Sequence, residues 1–298
     1  MPNFSQYNET DILEQVIIGR YDTYCNEPEY TERVNIEQLK GLPSVKPLRQ
    51  EMEIFRDALE KEGVEVLVPD QVGKFVYDQL TPRDIGVTIG QEFLLCNMAR
   101  KSRRYECAGI FRYINKKSDN EPEILIPDSP DMLMEGGDII VDKGKIFVAH
   151  TERTNKEGIK YIQDTFGSEF EVIPLETRSK SKGENILHLD CMFNPVGEHY
   201  AVIYESGFKN IPKPITDSYE LISISKEEQT KLAANFLSLS QTKIINRKHP
   251  NFRHLHSVLR EKGIDVIELP FDTVNSTGGS FRCVSLPLKR LNNGVDIT

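Results

Sequence analysis

Ala58-Leu59-Glu60-Lys61-Glu62-Gly63-Val64-Glu65-Val66-Leu67-Val68-Pro69 has a counterpart about two hundred residues later, Val258-Leu259-Arg260-Glu261-Lys262-Gly263-Ile264-Asp265-Val266-Ile267-Glu268-Leu269-Pro270. Each copy reads as the end of an amphipathic helix, a glycine that closes it and a short β-branched strand stopped by proline. Tyr161-Ile162-Gln163-Asp164-Thr165-Phe166-Gly167 before Phe170-Glu171-Val172-Ile173-Pro174 is a looser third copy. Two of these helices follow a hairpin. Asp138–Val141 and Lys145–Ala149 flank the turn Asp142-Lys143-Gly144, and Asn235–Leu239 and Lys243–Ile245 flank Ser240-Gln241-Thr242. The repeating unit is strand, strand, helix, strand. A ring of such units behaves as one domain with a central channel. The competing reading is an ordinary two-layer α/β domain in which helix–glycine–strand merely recurs.

Composition narrows the function classes. The 298 residues can bury a large core, and no Gly/Ser-rich or Pro-rich linker divides them, so 1–298 is read as a single catalytic domain. A net charge of −9 argues against general nucleic-acid binding and weakly favours a cationic substrate. No run approaches the ~20 apolar residues of a membrane span. Met1-Pro2-Asn3-Phe4-Ser5-Gln6 does not read as a secretory signal. Five cysteines, at 25, 96, 107, 191 and 283, form no C-x-x-C pair, which favours cytosolic free thiols over disulfides or zinc, and a cytoplasmic location. Arg178-Ser179-Lys180-Ser181-Lys182-Gly183-Glu184 reads as a solvated loop, and His254-x-His256 as surface decoration.

Three clusters carry the chemistry. Gly278-Gly279-Ser280-Phe281-Arg282-Cys283 supplies a thiol, Glu135-Gly136-Gly137-Asp138 two carboxylates, and His188-Leu189-Asp190 an imidazole and a third carboxylate. That set suits attack on a cationic carbon such as that of a guanidinium. A thiol with a pKa near ~8.5 must first become a thiolate. His188 can then protonate the departing nitrogen and later serve as base. Each residue also has a plainer role: a buried small hydrophobe for Cys283, a turn for the Gly-Gly pair, a core or surface histidine for His188.

Taken in order, the motifs resemble the guanidino-group-modifying superfamily of arginine deiminases, dimethylarginine hydrolases and amidinotransferases. The resemblance runs from about Ile12 to Arg290. Leu13–Arg20 looks like the opening strand of amidinotransferases, Thr81-Pro82-Arg83-Asp84 like the family's Arg-Asp segment, and Met98–Glu106 like an amidinotransferase stretch. Glu135-Gly136-Gly137-Asp138 resembles the deiminase form, and Thr151-Glu152-Arg153-Thr154-Asn155 leans toward the hydrolases. His188-Leu189-Asp190-Cys191-Met192-Phe193-Asn194 is similar to the deiminases in its His-x-Asp-x-x-Phe and to glycine amidinotransferase in its ending.

The resemblance implies a five-bladed, pseudo-symmetric α/β propeller (pentein) of ββαβ repeats with the site at its centre. It implies Cys283, His188 and Glu135 as catalytic residues and Asp84 and Asp190 as the carboxylate pair for a guanidinium. Arg103 and Arg153 join the substrate-binding set, Arg103 with a solvated helix face as its alternative. Asp190 is what enzymes for unsubstituted guanidines carry. Only some thirty residues separate Glu51 from Asp84, leaving no room for the long helical insertion of bacterial arginine deiminases.

The expected enzyme acts on arginine or a related guanidino compound through a covalent amidino-cysteine, without metal or organic cofactor. Amidino transfer to an amine acceptor is placed ahead of deimination to citrulline and ammonia. A catalytically silent arginine- or protein-binding member of the fold is the reading from another class. Assembly as a homo-oligomer is left open.

Overall fold

The computed structural model describes residues 4–21, 45–73, 76, 79–115, 124–178, 184 and 186–291. Cys25 and most of the Arg178–Glu184 stretch lie outside the described residues. The remainder forms five three-stranded sheets, each combining one antiparallel and one parallel pair.

The third and fifth sheets show the unit most fully. β6 (Ile139–Asp142) turns back into β7 (Lys145–His150), α2 (Lys156–Phe166) crosses over, and β8 (Glu171–Glu176) joins β7 in parallel. β12 (Leu237–Ser240), β13 (Lys243–Arg247), α4 (Arg253–Glu261) and β14 (Asp265–Leu269) repeat this. The second sheet holds β3 (Gly86–Ile89), β4 (Glu92–Leu95) and β5 (Ile124–Leu125), and the fourth β9 (Phe193–Val196), β10 (Tyr200–Ile203) and β11 (Glu220–Ser223), with α3 (Lys213–Ser218) as its crossover.

The first sheet draws on both ends of the described chain. β1 (Ile12–Ile18) pairs in parallel with β2 (Glu65–Leu67), which follows α1 (Val45–Lys61), and antiparallel with β15 (Ser285–Leu291). Both helix–glycine–strand copies are therefore real and equivalent: Gly63 and Gly263 adopt φ of 83° and 79°, the left-handed geometry that ends a helix where a side chain would be strained. Lys143 and Gly144 both take positive φ, the signature of a tight hairpin turn.

Every residue of β3, β6 and β9 is buried. The apolar cores run between successive sheets: Ile140 and Phe147 of the third pack in one cluster with Phe193 and Val202 of the fourth and Ile244 of the fifth. Polar bonds stitch these strands together. Thr88 Oγ1 donates to the carbonyl of Pro287, Asn194 Nδ2 to those of Ala234 and Phe236, and Arg290 Nη1 to that of Ser238. No helix among the described residues is long and apolar enough to cross a membrane.

One expectation is corrected. His254 is exposed, but His256 is 1% exposed, packed against Phe252 with Nδ1 3.3 Å from a Glu268 carboxylate oxygen. The i,i+2 spacing sends neighbouring side chains to different faces of α4, and His256 fell on the buried one.

Candidate active site

The motif residues converge from loops that precede buried strands. Asp84 lies in the turn Pro82–Ile85 before β3, Glu135 just ahead of the turn Gly136–Asp138 before β6, and His188 just ahead of the turn Leu189–Cys191 before β9. Cys283 stands just before β15. Four equivalent loops thus supply thiol, imidazole and carboxylates.

His188 sits between two carboxylates. Its Nε2 is 2.8 Å from Glu135 Oε2 and its Nδ1 is 3.6 Å from Asp84 Oδ1. Burial opposes a charge on the ring, but Asp84, Glu135 and Asp138 outweigh it and hold the imidazole pKa well above its ordinary value. The surrounding carboxylates thus favour the protonated ring. Burial also opposes ionisation of Glu135, but the hydrogen bond and charge of His188, with Arg153 and Arg103, bring its pKa down to about 2. Gly137 makes this packing feasible: a Cβ there would lie 2.8 Å from His188 Cγ and 2.9 Å from Asp84 Oδ1.

The arginines hold carboxylates. Arg103 donates to Asp84 Oδ2 at 2.6 Å, to both oxygens of Glu106 at 2.8 Å, and to the carbonyl and hydroxyl of Thr81. Arg153 Nη1 donates to both oxygens of Glu135, at 3.2 and 3.4 Å. Arg104 donates to the carbonyl of Met98. Two carboxylate oxygens stay open: Asp84 Oδ1 and Asp190 Oδ2 are buried and have no hydrogen-bond partner. Asp190 Oδ2 is 3.5 Å from Arg282 Nε, and burial raises the Asp190 pKa against the pull of Arg282 and His188.

Cys283 is 5% exposed. Its N–H donates to Asn235 Oδ1 at 3.1 Å, and its carbonyl accepts from the Arg83 N–H at 3.2 Å. Asn235 Nδ2 donates to the Asp190 carbonyl at 3.3 Å, so one side chain ties the His-x-Asp loop to the thiol loop. Beneath them Arg282 makes a two-pronged ion pair with Glu9, whose pKa falls to about 2 because Arg282 and its neighbours overcome the burial penalty.

Ligand-type atoms of Asp84, Glu135 and His188 lie within 4.8 Å of one another, as do those of Asp190, Cys191 and Cys283. The first set offers one imidazole nitrogen and two carboxylate oxygens. The second set, two sulfurs and one oxygen, has the character of a soft-ion site.

All seven sequence-derived site residues meet here. Four supporting residues were missed. Asn235 could have been suspected as the one polar residue in the run Leu232-Ala233-Ala234-Asn235-Phe236-Leu237, since a buried amide must find partners. Asp138 was quoted in its motif without a role. It accepts from the Thr151 and Thr154 hydroxyls and from Leu189 N–H, and burial lifts its pKa to about 7. Arg282 was likewise quoted beside Cys283 without a role, and Glu9 carried no local signal.

The family model described as N,N dimethylarginine dimethylhydrolase, eukaryotic, matches residues 39–290. The chain belongs to that family. It is an enzyme of the guanidino-group-modifying superfamily, as its motifs implied. The uncharacterized protein YkgA of Bacillus subtilis (strain 168) is 31% identical over 78% of this chain and 77% of its own length. An L-arginine:L-lysine amidinotransferase from Pseudomonas savastanoi pv. phaseolicola is 22% identical over 95% of this chain and 93% of its own. Among solved structures, SxtG, an amidinotransferase from Microseira wollei in the saxitoxin biosynthetic pathway, covers 98% of both chains at 20% identity with a TM-score of 0.78, and shares this fold.

Proposed function

We propose that this enzyme attacks the guanidinium of arginine through Cys283 and passes the amidino group to an amine acceptor. The five sheets act as the blades of one propeller domain, with the site at the centre. The observation that carries this reading is the pair of open carboxylate oxygens, Asp84 Oδ1 and Asp190 Oδ2, buried beside an imidazolium and a thiol. Buried carboxylate oxygens without donors are costly, and a planar cation with several N–H groups relieves both. A terminal nitrogen bearing two methyl groups has no N–H for one of them, which favours unsubstituted arginine over dimethylarginine.

The Cys283 thiolate adds to the guanidinium carbon. The bond from the guanidinium carbon to arginine's Nε then breaks as His188 delivers its proton, and ornithine leaves with that nitrogen. The amidino group stays on sulfur. His188, now neutral, takes a proton from the entering amine, whose nitrogen attacks the carbon, and the C–S bond breaks to restore the thiolate. Glu135 keeps the imidazole oriented and charged, Arg153 holds Glu135, and Arg103 holds Asp84. These three are positioning residues. The amidinotransferase relative aligned over 95% of the chain supports transfer.

The family match favours a second reading on the same residues. If a terminal nitrogen leaves as ammonia and water attacks, the product is citrulline. Intact-protein mass spectrometry with arginine, on wild type and Cys283→Ser, with assays of ornithine, citrulline and ammonia, tests both. Ornithine plus a guanidino product from added glycine or lysine supports transfer, and citrulline with ammonia replaces it by hydrolysis. No adduct and no product sinks both readings and leaves a binding protein.

A further inference from the structure

Cys191 takes part in no step above, yet its sulfur stands beside the nucleophile. The sulfurs of Cys191 and Cys283 and a carboxylate oxygen of Asp190 all lie within 4.8 Å of one another. The Cys191 thiol donates to Asp190 Oδ1 at 3.5 Å. Both loops are anchored: Cys191 N–H donates to the His188 carbonyl, and Asn235 bonds to the Cys283 N–H and the Asp190 carbonyl. The two sulfurs are held as neighbours.

We propose that Cys191 is a resolving thiol, which closes a reversible disulfide with Cys283 after hydrogen peroxide has oxidised the nucleophile. This rests on Cys283 being the reactive thiolate of the proposed function. The Cys283 sulfur attacks one peroxide oxygen, the O–O bond breaks, and the departing hydroxide takes a proton to become water. Cys283 is then a sulfenic acid. Cys191 sulfur attacks Cys283 sulfur, the S–O bond breaks, and the Cys191 proton leaves with the hydroxide as a second water. Two thiols have lost two electrons in all, and peroxide has gained them.

Asp190 Oδ1 lies on the Cys191 proton, placed to draw it off as the S–S bond forms. The sulfurs have to close from within 4.8 Å to the ~2.05 Å of a disulfide. The product removes the nucleophile without altering the rest of the site, and thiol reductants restore it. Without Cys191 the sulfenic acid stays open to further peroxide and proceeds to the irreversible sulfinic acid.

The test uses the full chain, treated with hydrogen peroxide, quenched by alkylation and read by intact mass and peptide mapping. Expected for wild type are a loss of about 2 Da, a Cys191–Cys283 linked peptide, and a turnover loss of more than about 10-fold that dithiothreitol reverses. Cys191→Ser, which keeps a donor toward Asp190, is expected to gain about 32 Da at Cys283 and not to recover. Sulfinic acid forming equally fast in both proteins, or no Cys191–Cys283 link in wild type, overturns the proposal. Turnover before oxidation reports separately on Cys283 as nucleophile, because the linked peptide is read by mass alone.

Discussion

Glu135 and His188 face each other across 2.8 Å, a buried carboxylate against a buried imidazole whose other nitrogen points toward Asp84. The arrangement stores a proton. The carboxylates around the ring outweigh the burial that opposes its charge and raise its pKa well above the ordinary value. An acid of this kind can protonate a departing amine nitrogen when the tetrahedral adduct collapses.

Replacing Glu135 by Gln removes one of those anions. The His188 pKa falls, so the alkaline limb of the kcat/KM profile moves to lower pH. Loss of a charge-assisted hydrogen bond, ~1.5–3 kcal/mol, corresponds to a fall in kcat of about 10- to 100-fold at neutral pH. An unchanged alkaline limb in Glu135→Gln would argue against His188 as the acid.

Arg103→Ala leaves Asp84 and Glu106, 5% and 3% exposed at their side chains, without their shared cation. Breaking these buried ion pairs costs about 3–5 kcal/mol, to be read as a lower denaturant midpoint. KM for arginine rises as well, since Asp84 is no longer held for the guanidinium. Arg103→Lys, with one charge but no fork, falls between the two.

Asn235→Ala deletes the link between the thiol loop and the His-x-Asp loop. The Cys283 N–H is left buried without an acceptor, at ~1–3 kcal/mol. The expected signature is slower adduct formation in single-turnover mass spectrometry, larger than any change in arginine affinity. Equal slowing and weakening would point to a general collapse of the site.

Asp142 carries a pH dependence of stability. Burial lifts its pKa to about 6, more than the hydrogen bonds from Tyr219 and the Glu9 N–H can offset. The folded protein thus holds a proton that the unfolded chain releases near 3.8. This stabilisation is full below about pH 4 and is lost as pH rises through about 6. Asp138, at about 7, acts in the same direction. Glu9 and Glu135, at about 2, act oppositely but below that window. Asp142→Asn should flatten the decline in urea midpoint between pH 4 and 7. A slope equal to wild type would refute it.

Local pattern carried most of the fold. Helix, left-handed glycine and β-branched strand are set by neighbours in sequence, and Gly63 and Gly263 announced two of the five sheets. The second and fourth sheets were harder to read, because among the described residues the α-helices of their crossovers are short, Phe111–Ile114 and α3. Residues with their own chemistry were legible at the site: Cys283, His188, Glu135, Asp84 and Asp190. What held them was not. The partners of Arg103 and Arg153, the reach of Asn235 and the Glu9–Arg282 pair, 273 residues apart, depend on how distant loops meet. His256 was misread for a related reason, since the buried face of α4 is set by the neighbouring sheet.

The pairing of β1 with β15 has a consequence for the order of events during synthesis. The first described strand must wait for the last before its sheet is complete, and the thiol lies two residues before that last strand. Closure of the first sheet and arrival of the Cys283 thiol therefore coincide. If Cys283 is the nucleophile proposed above, a ribosome-bound chain that has already exposed Asp84, Glu135 and His188 still has nothing to attack with, and a half-built enzyme consumes no substrate.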